Sequence, residues 1–232
     1  MSPSSTSLWM GANLALRRLR GRPLLVVTLS TVVFATLASF AERRVGGLDA
    51  ATRALQGPVF GLAIPLSMMS LVSLAFGGTR VESGLASLAL LGANRRAAIW
   101  GALPGVAIVG AFLASVTAGL GAMAAHGFRT PGAASDAWTT AQIAALAGAA
   151  YVGYFGASST LGAKGRGRLI AFAADLLFGS MAGMASLPFP RAHALNLLGA
   201  EPVVHMPQSV SAVVLGALAL GYAALTSLRT RR

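Results

Sequence analysis

The chain has no cysteine, a single lysine and only six acidic residues among 232 positions. Without cysteine there can be no disulfide, no thiolate metal ligand and no thiol nucleophile. Charged residues make up only 10% of the chain, whereas a soluble domain carries roughly 25%. This scarcity of charge, with 55% hydrophobic residues and a mean hydropathy of +0.71, indicates an integral membrane protein.

Six apolar runs account for most of the hydrophobic residues. Because about 20 apolar residues are needed to cross a bilayer as a helix, we expect an all-α integral membrane protein that forms one transmembrane domain over residues 1–232. The six transmembrane helices are predicted at about 23–41, 58–76, 97–125, 138–161, 169–187 and 208–228.

Basic residues fall unevenly on the two sides of these runs. Lysine and arginine are retained on the cytoplasmic side of transmembrane helices, and thirteen of the eighteen lie on one side. Both termini are therefore expected in the cytoplasm. Topology and anionic headgroups account for the net charge of +12, so nucleic-acid binding is not expected. One lysine against seventeen arginines suggests a GC-rich bacterial genome and thus a multi-pass protein of the inner membrane.

The basic N-terminal stretch precedes the first apolar run. Residues 7–22 combine Trp9 and several leucines with Arg17, Arg18 and Arg20, which predicts an amphipathic helix at the membrane interface. A cleaved signal peptide is the alternative, but the apolar run that follows is longer than a typical signal core. We expect the segment to be retained.

Small residues recur along the third and fourth runs. The third contains Gly101-x-x-x-Gly105, and the fourth contains Gly148, Gly153 and Gly156. Small residues allow membrane helices to approach closely, so these positions are expected at helix contacts. On the outer side, segment 188–207 is apolar for a loop and is expected to hold a short helix at, or dipping into, the outer leaflet.

Residues 79–96, between the second and third runs, show an ordered pattern of local signals. Gly77-Gly78 ends the second run, and Glu82 falls in the first turn of a short helix, where a carboxylate favours the helix dipole. Gly92 is suited to a left-handed cap, and Asn94 can cap the next helix. A spacing of three predicts one apolar stripe on this helix, formed by Leu85, Leu88 and Leu91.

This segment resembles the coupling element of ABC type-2 exporter permeases. The shared pattern is E-x-G-x-x-x-L-x-L-L-G-x-x-R-R, formed by Glu82, Gly84, Leu88, Leu90, Leu91, Gly92, Arg95 and Arg96. The family also has a basic amphipathic helix, six spans, both ends inside and a partly re-entrant outer segment before the last span. The resemblance implies a short cytoplasmic coupling helix between spans 2 and 3 that docks on an ATPase subunit.

Permeases of the cell-division and lipoprotein-release type share the motif. They also carry a glutamate, a Leu-Gly-Ala turn and arginines before a glycine-rich span. However, they place a large outer domain after the first span and commonly have four spans, and this chain shows neither feature. Both resemblances imply an ATP-driven machine, and an ordinary basic cytoplasmic loop is the alternative interpretation of residues 79–96.

The ATP chemistry would have to come from another chain. A phosphate-binding loop needs glycines followed by a lysine and then serine or threonine, but Lys164 is followed by Gly165. The resemblance therefore implies no cofactor in this chain, with ATP and Mg²⁺ on a partner ATPase. It also implies a transport subunit that is not itself an enzyme and that pairs with a second permease chain as a homodimer or heterodimer. A lipid-like or amphipathic substrate suits spans with so few charges.

Asp175 is the one carboxylate inside a predicted span. A charge at that depth is costly and usually faces the bundle interior. It could contact substrate or act as a protonatable gate. Alternatively, it could be a structural carboxylate paired with Arg168 or a hydroxyl of Ser159 or Thr160, and we favour this second interpretation. The gate would suit the alternative function, a secondary ion-coupled transporter; a non-transporting membrane scaffold is the third possibility.

Histidines on the outer side do not form a recognisable metal motif. His193, Glu201 and His205 lie within one loop, but their spacing matches no standard zinc site. No metal site is predicted, and no Ser-His-Asp arrangement indicates a catalytic site.

Overall fold

The computed structural model describes residues 3–47, 49–181, 183–200 and 206–230. Every regular element in these ranges is a helix, as the composition predicts. The bounds of the eleven α-helices found there are α1 Pro3–Leu19, α2 Arg22–Val45, α3 Ala50–Ala54, α4 Ile64–Ala75, α5 Val81–Gly84, α6 Ala86–Leu90, α7 Arg95–His126, α8 Ala133–Ser158, α9 Gly167–Phe178, α10 Pro190–Leu197 and α11 Gln208–Arg229. A π-helix, Leu55–Ala63, joins α3 to α4.

Four of the helices found in the described ranges are long and apolar enough to cross a membrane. They are Arg22–Val45, the continuous stretch Ala50–Ala75, Arg95–His126 and Gln208–Arg229. Each coincides with a predicted span, although Ala50–Ala75 begins eight residues before the predicted run at 58–76. The loop expected at 42–57 is correspondingly shorter.

The fourth predicted span corresponds to α8. Its 26 residues rise about 39 Å, which exceeds the bilayer core of about 30 Å. Its first turns are polar and contain Ser135, Asp136, Thr139 and Thr140, and α8 is not among the four helices above. α8 is instead the most enclosed long helix, and its Tyr151, Val152 and Phe155 are fully buried.

The fifth predicted run, 169–187, does not form one helix. α9 ends at Phe178 after 12 residues, a rise of about 18 Å. A 3-10 turn follows at Met184–Ser186, and α10 then starts at Pro190. α9 begins beside the end of α8, where the Gly167 N–H donates to Leu161 O at 3.1 Å. α10 ends at the opposite end of the molecule, where Leu197 shares a cavity with His126. The chain therefore passes between the two ends of the molecule here through two separate short helices.

Glycines set the helix spacing at the centre, as their pattern predicts. A Cβ on Gly148 would lie 2.9 Å from Ala114 Cβ and 3.0 Å from Gly110 O, so α7 and α8 pack closely. A Cβ on Gly153 would lie 2.8 Å from Ala219 O, which sets the same close approach between α8 and α11. The core therefore centres on α8, with α7 and α11 in contact along it.

The bilayer-facing surface is identified by its exposed apolar side chains. α2 contributes the largest number of them, and its buried residues are limited to Ala35 and Ser39. The exposed set on α2 is Leu25, Val26, Leu29, Val33, Phe34, Leu37, Phe40 and Val45. Such a continuous apolar face on a helix this long is typical of contact with lipid.

Candidate functional site

Residues 79–96, which we call the coupling segment after the resemblance, form two short helices rather than one. α5 carries Glu82 in its first turn, as predicted. At Leu85 the backbone turns to φ −101° and ψ 4°, which separates α5 from α6. A Cβ on Gly84 would lie 2.7 Å from Phe76 O, so the glycine allows α5 to pack directly on the end of the preceding helix.

Both glycine and asparagine caps form as predicted. Gly92 has φ +77°. Its N–H donates to Ala89 O at 3.0 Å, and the Ala93 N–H donates to Leu88 O at 3.0 Å; this is a Schellman cap. The Asn94 side chain accepts from the N–H groups of Arg96 (3.0 Å) and Ala97 (3.3 Å) and so begins α7.

The predicted leucine stripe is wrong, because its three residues do not share a face. Leu85 is 2% exposed and Leu88 is 7% exposed, and both belong to the protein core. Leu91 is 71% exposed and lies beyond the end of α6. The break at Leu85 and the cap at Gly92 interrupt the single helix on which the stripe depended.

A different set of residues forms the exposed surface of the segment. Leu90 is 89% exposed, the most exposed of the large apolar side chains in the described ranges. We call the following exposed residues the docking face: Ser83, Ala86, Ser87, Leu90, Leu91 and Arg95. Glu82 is half-buried at its edge and forms no ion pair with the described residues. Arg96 is half-buried, and its Nε and Nη2 atoms are enclosed.

The N-terminal helix α1 is hydrogen-bonded to the chain at both ends of this segment. Arg18 Nη1 donates to Ala75 O at 3.2 Å, just before the segment. The Asn94 N–H donates to Ser7 Oγ at 3.0 Å, at the far end. α1 crosses α7 with close backbone contact at Gly11 and Gly101, where a Cβ on either residue would overlap the other helix.

The second loop on the same side is also bonded to the segment. Arg80 Nε donates to Gly162 O at 2.7 Å. Arg168, which is 4% exposed in the first turn of α9, donates to Ser73 Oγ and Thr79 O. Residues 79–80 are therefore connected directly to α9 as well as to the end of α4.

Asp175 is buried, as expected, but the predicted partners are wrong. It is 1% exposed, and its Oδ2 accepts from Tyr151 Oη at 2.7 Å. Its Oδ1 accepts from the Arg191 backbone N–H at 3.3 Å. Arg168 is occupied elsewhere, and Ser159 and Thr160 donate to carbonyls of their own turn.

Neither partner of Asp175 was predicted from the sequence. Tyr151 lies 24 positions away on another helix, and Arg191 belongs to the segment assigned to the outer loop. The break between α9 and α10 brings Arg191 back to Asp175, and a continuous fifth span could not do so. The presence of two prolines, Pro188 and Pro190, is the local signal for that break.

Arg191 also binds the π-helix. Its Nη1 donates to Gly61 O at 3.2 Å. Pro65, just after the π-helix, has no N–H, and Arg191 adds a hydrogen-bond donor where the π-helix is followed by α4. A Cβ on Gly61 would lie 3.0 Å from Arg191 Nη2 and 3.1 Å from Gln56 O, so the glycine leaves room for the guanidinium.

A cavity of about 340 Å³ opens at the other end of the molecule. It is lined by polar and apolar side chains together; the polar ones are Thr52, Gln56, His126, Asp136, Thr139, Thr140 and Gln208. His126 Nε2 lies 3.9 Å from Asp136 Oδ2. This mixed lining suits the polar part of an amphipathic molecule.

The histidine of the outer segment has a structural role. His193 is 3% exposed, and its ring nitrogens lie 2.9 Å from Leu187 O and 3.5 Å from Ser211 Oγ. Glu201 and His205 lie outside the described residues. Within the described ranges, no three histidine or acidic side chains come together as a metal-binding group would require.

Comparison with known proteins identifies no family for the chain. No protein-family model matches the chain, and no curated protein is significantly similar to it.

Proposed function

We propose that the chain is the membrane-spanning permease subunit of an ATP-driven ABC exporter, powered by a separate cytoplasmic ATPase subunit. The observation that carries the proposal is the coupling segment, a pair of short helices held between two crossing helices with an exposed apolar docking face. Leu90 and Leu91 are the large apolar side chains of that face. Exposed leucines that are not covered by lipid favour contact with another protein.

The segment is built to transmit force rather than to move freely. α1 holds both of its ends, while Arg80 and Arg168 bond it to the second loop and to α9. A partner that displaces the docking face would therefore displace α9 and α7 together. In the proposed mechanism, ATP-driven closure of two ATPase subunits moves the helices of two paired permease chains between inward-closed and outward-open arrangements.

The substrate proposed is lipid-like or amphipathic. The described helices bury few charged side chains, and Arg168 and Asp175 are already bonded within the chain. The mixed cavity of about 340 Å³ beside Gln56 and Asp136 would receive the polar part of such a molecule at the outer end.

The first test is a pull-down of the tagged protein from native membranes. The wild-type chain is expected to recover an ABC ATPase, and the Leu90→Glu/Leu91→Glu variant is expected to lose it, because two charges would enter an apolar contact. Both substituted residues are exposed, so the fold should be preserved. Phe128→Glu is the matched control, since Phe128 is 66% exposed at the opposite end, and it should retain the ATPase.

Two results would reject the exporter. One is wild-type protein recovered without any ATPase, and the other is a double variant that retains it. Leu88→Glu is a less informative change than its position in the motif suggests, because Leu88 is in the core and a buried charge would unfold the segment.

The buried Asp175 supports one second candidate, an ion-coupled secondary transporter. A carboxylate bonded to Tyr151 beside a broken helix is an arrangement in which a proton or cation could bind. Transport that follows a proton or sodium gradient, persists without ATP and is lost in Asp175→Asn would favour it over the exporter.

A further inference from the structure

A second cavity, with mostly apolar walls, lies between α8, α9 and α11, at the end of the molecule that carries the coupling segment. Its volume is about 250 Å³. Its apolar walls include Leu161, Ile170, Ala171, Ala174 and Leu225. Leu161 and Ile170 are 49% and 71% exposed, so the cavity opens sideways, toward the bilayer, as a groove.

The two ends of the groove differ in charge. Arg229, the last residue of α11, lines the groove where α8 ends and α9 begins. Ser158 lies at that same end, and Lys164 and Arg166 are exposed in the turn before α9. At the opposite end, the hydroxyls of Tyr154 and Tyr222 are bonded to Ala171 O and Pro188 O.

We propose that this groove binds an anionic phospholipid of the inner leaflet, with its headgroup phosphate at Arg229 and an acyl chain along Ala171 and Ala174. The proposal rests on the membrane location and the predicted orientation of the chain, and not on the exporter function. Basic pockets between helices on the cytoplasmic side are suited to anionic headgroups.

Charge distinguishes a lipid from a second copy of the chain as the occupant. Oligomers are usually related by two-fold symmetry, which would bring a second Arg229, Lys164 and Arg166 close to the first set. An anionic lipid instead neutralises these cations. A neighbouring groove of about 300 Å³ between α7, α8 and α11 has similar apolar walls but no charged residue in its lining, so it offers no such headgroup site.

The test is native mass spectrometry of the detergent-purified chain with phosphatidylglycerol or phosphatidylcholine of identical acyl chains. The wild-type chain should retain phosphatidylglycerol about fivefold more than phosphatidylcholine, the preference that one lipid-facing cation supplies. Arg229→Gln should remove that preference. Arg22→Gln, an exposed arginine at the same side but outside the groove, should keep it.

A second pair of variants tests the acyl-chain position. Ala174→Trp fills the groove and should reduce retention of both lipids, whereas Ala173→Trp, at an exposed neighbour outside the groove, should not. Ala174→Leu gives a smaller obstruction if the tryptophan unfolds the chain. Equal retention of the two lipids by wild type, unchanged preference in Arg229→Gln, or the same loss in both tryptophan variants would overturn the proposal. These outcomes require no ATPase, so they are independent of the pull-down.

Discussion

Tyr151 donates a hydrogen bond of 2.7 Å to Asp175, and both side chains are essentially inaccessible to water. The bond joins the central helix α8 to the last turn of α9. Together with the Tyr154 bond to Ala171 O, it holds α9 against the core.

Removing this hydrogen bond should destabilise the chain. Tyr151→Phe leaves a buried carboxylate oxygen without its donor, and such a loss costs about 1–3 kcal/mol. The unfolding free energy in detergent micelles is the measurement. In an Asp175→Leu background the same change should cost much less; additivity of the two effects to within about 0.5 kcal/mol would show that the pair is not coupled.

The contribution of the Arg191 side chain to the unfolding free energy is expected to depend on Pro65. Arg191→Met deprives Gly61 O of its donor and should lower the unfolding free energy by about 1–3 kcal/mol. Pro65→Ala restores a backbone N–H four residues after Gly61, so the cost of Arg191→Met should fall in that background. A full thermodynamic cycle measures this, and an unchanged cost would mean that the Arg191 side chain does not replace the N–H that Pro65 lacks.

The bond between the two loops should matter for coupling more than for stability. Arg80→Gln removes the donor to Gly162 O at an exposed site, where single bonds contribute little to folding. Under the exporter proposal, ATP hydrolysis by the complex should continue while transport per ATP falls. Arg166→Gln is the control, since Arg166 is exposed in the same loop; an equal loss in both variants would indicate a general charge effect.

The absence of cysteine makes the orientation directly measurable. A single cysteine at Ser87, on the docking face, should react with a membrane-impermeant maleimide only from the cytoplasmic side. A single cysteine at Ser135, exposed in the first turn of α8, should react only from outside. Labelling of both from the same side would reject the predicted topology.

Local sequence signals predicted the local structure well. Asn94 caps α7 and Gly92 caps α6, because these residues act through their own backbone neighbourhood. The apolar runs likewise predicted the four helices that are long and apolar enough to cross. The predicted stripe of Leu85, Leu88 and Leu91 was wrong because it assumed an unbroken helix, whereas the helix breaks at Leu85 and ends before Gly92.

By itself, the sequence determined the helical class, the four long apolar helices and the caps of the coupling segment, since each depends on residues adjacent in the chain. Tertiary structure alone decided that Tyr151 and Arg191 satisfy Asp175, that Arg168 bonds to Thr79, and that Leu90 rather than Leu88 faces outward. A buried polar group must find a donor wherever the fold brings one. That donor can come from any distance along the chain, so no periodicity identifies it in advance.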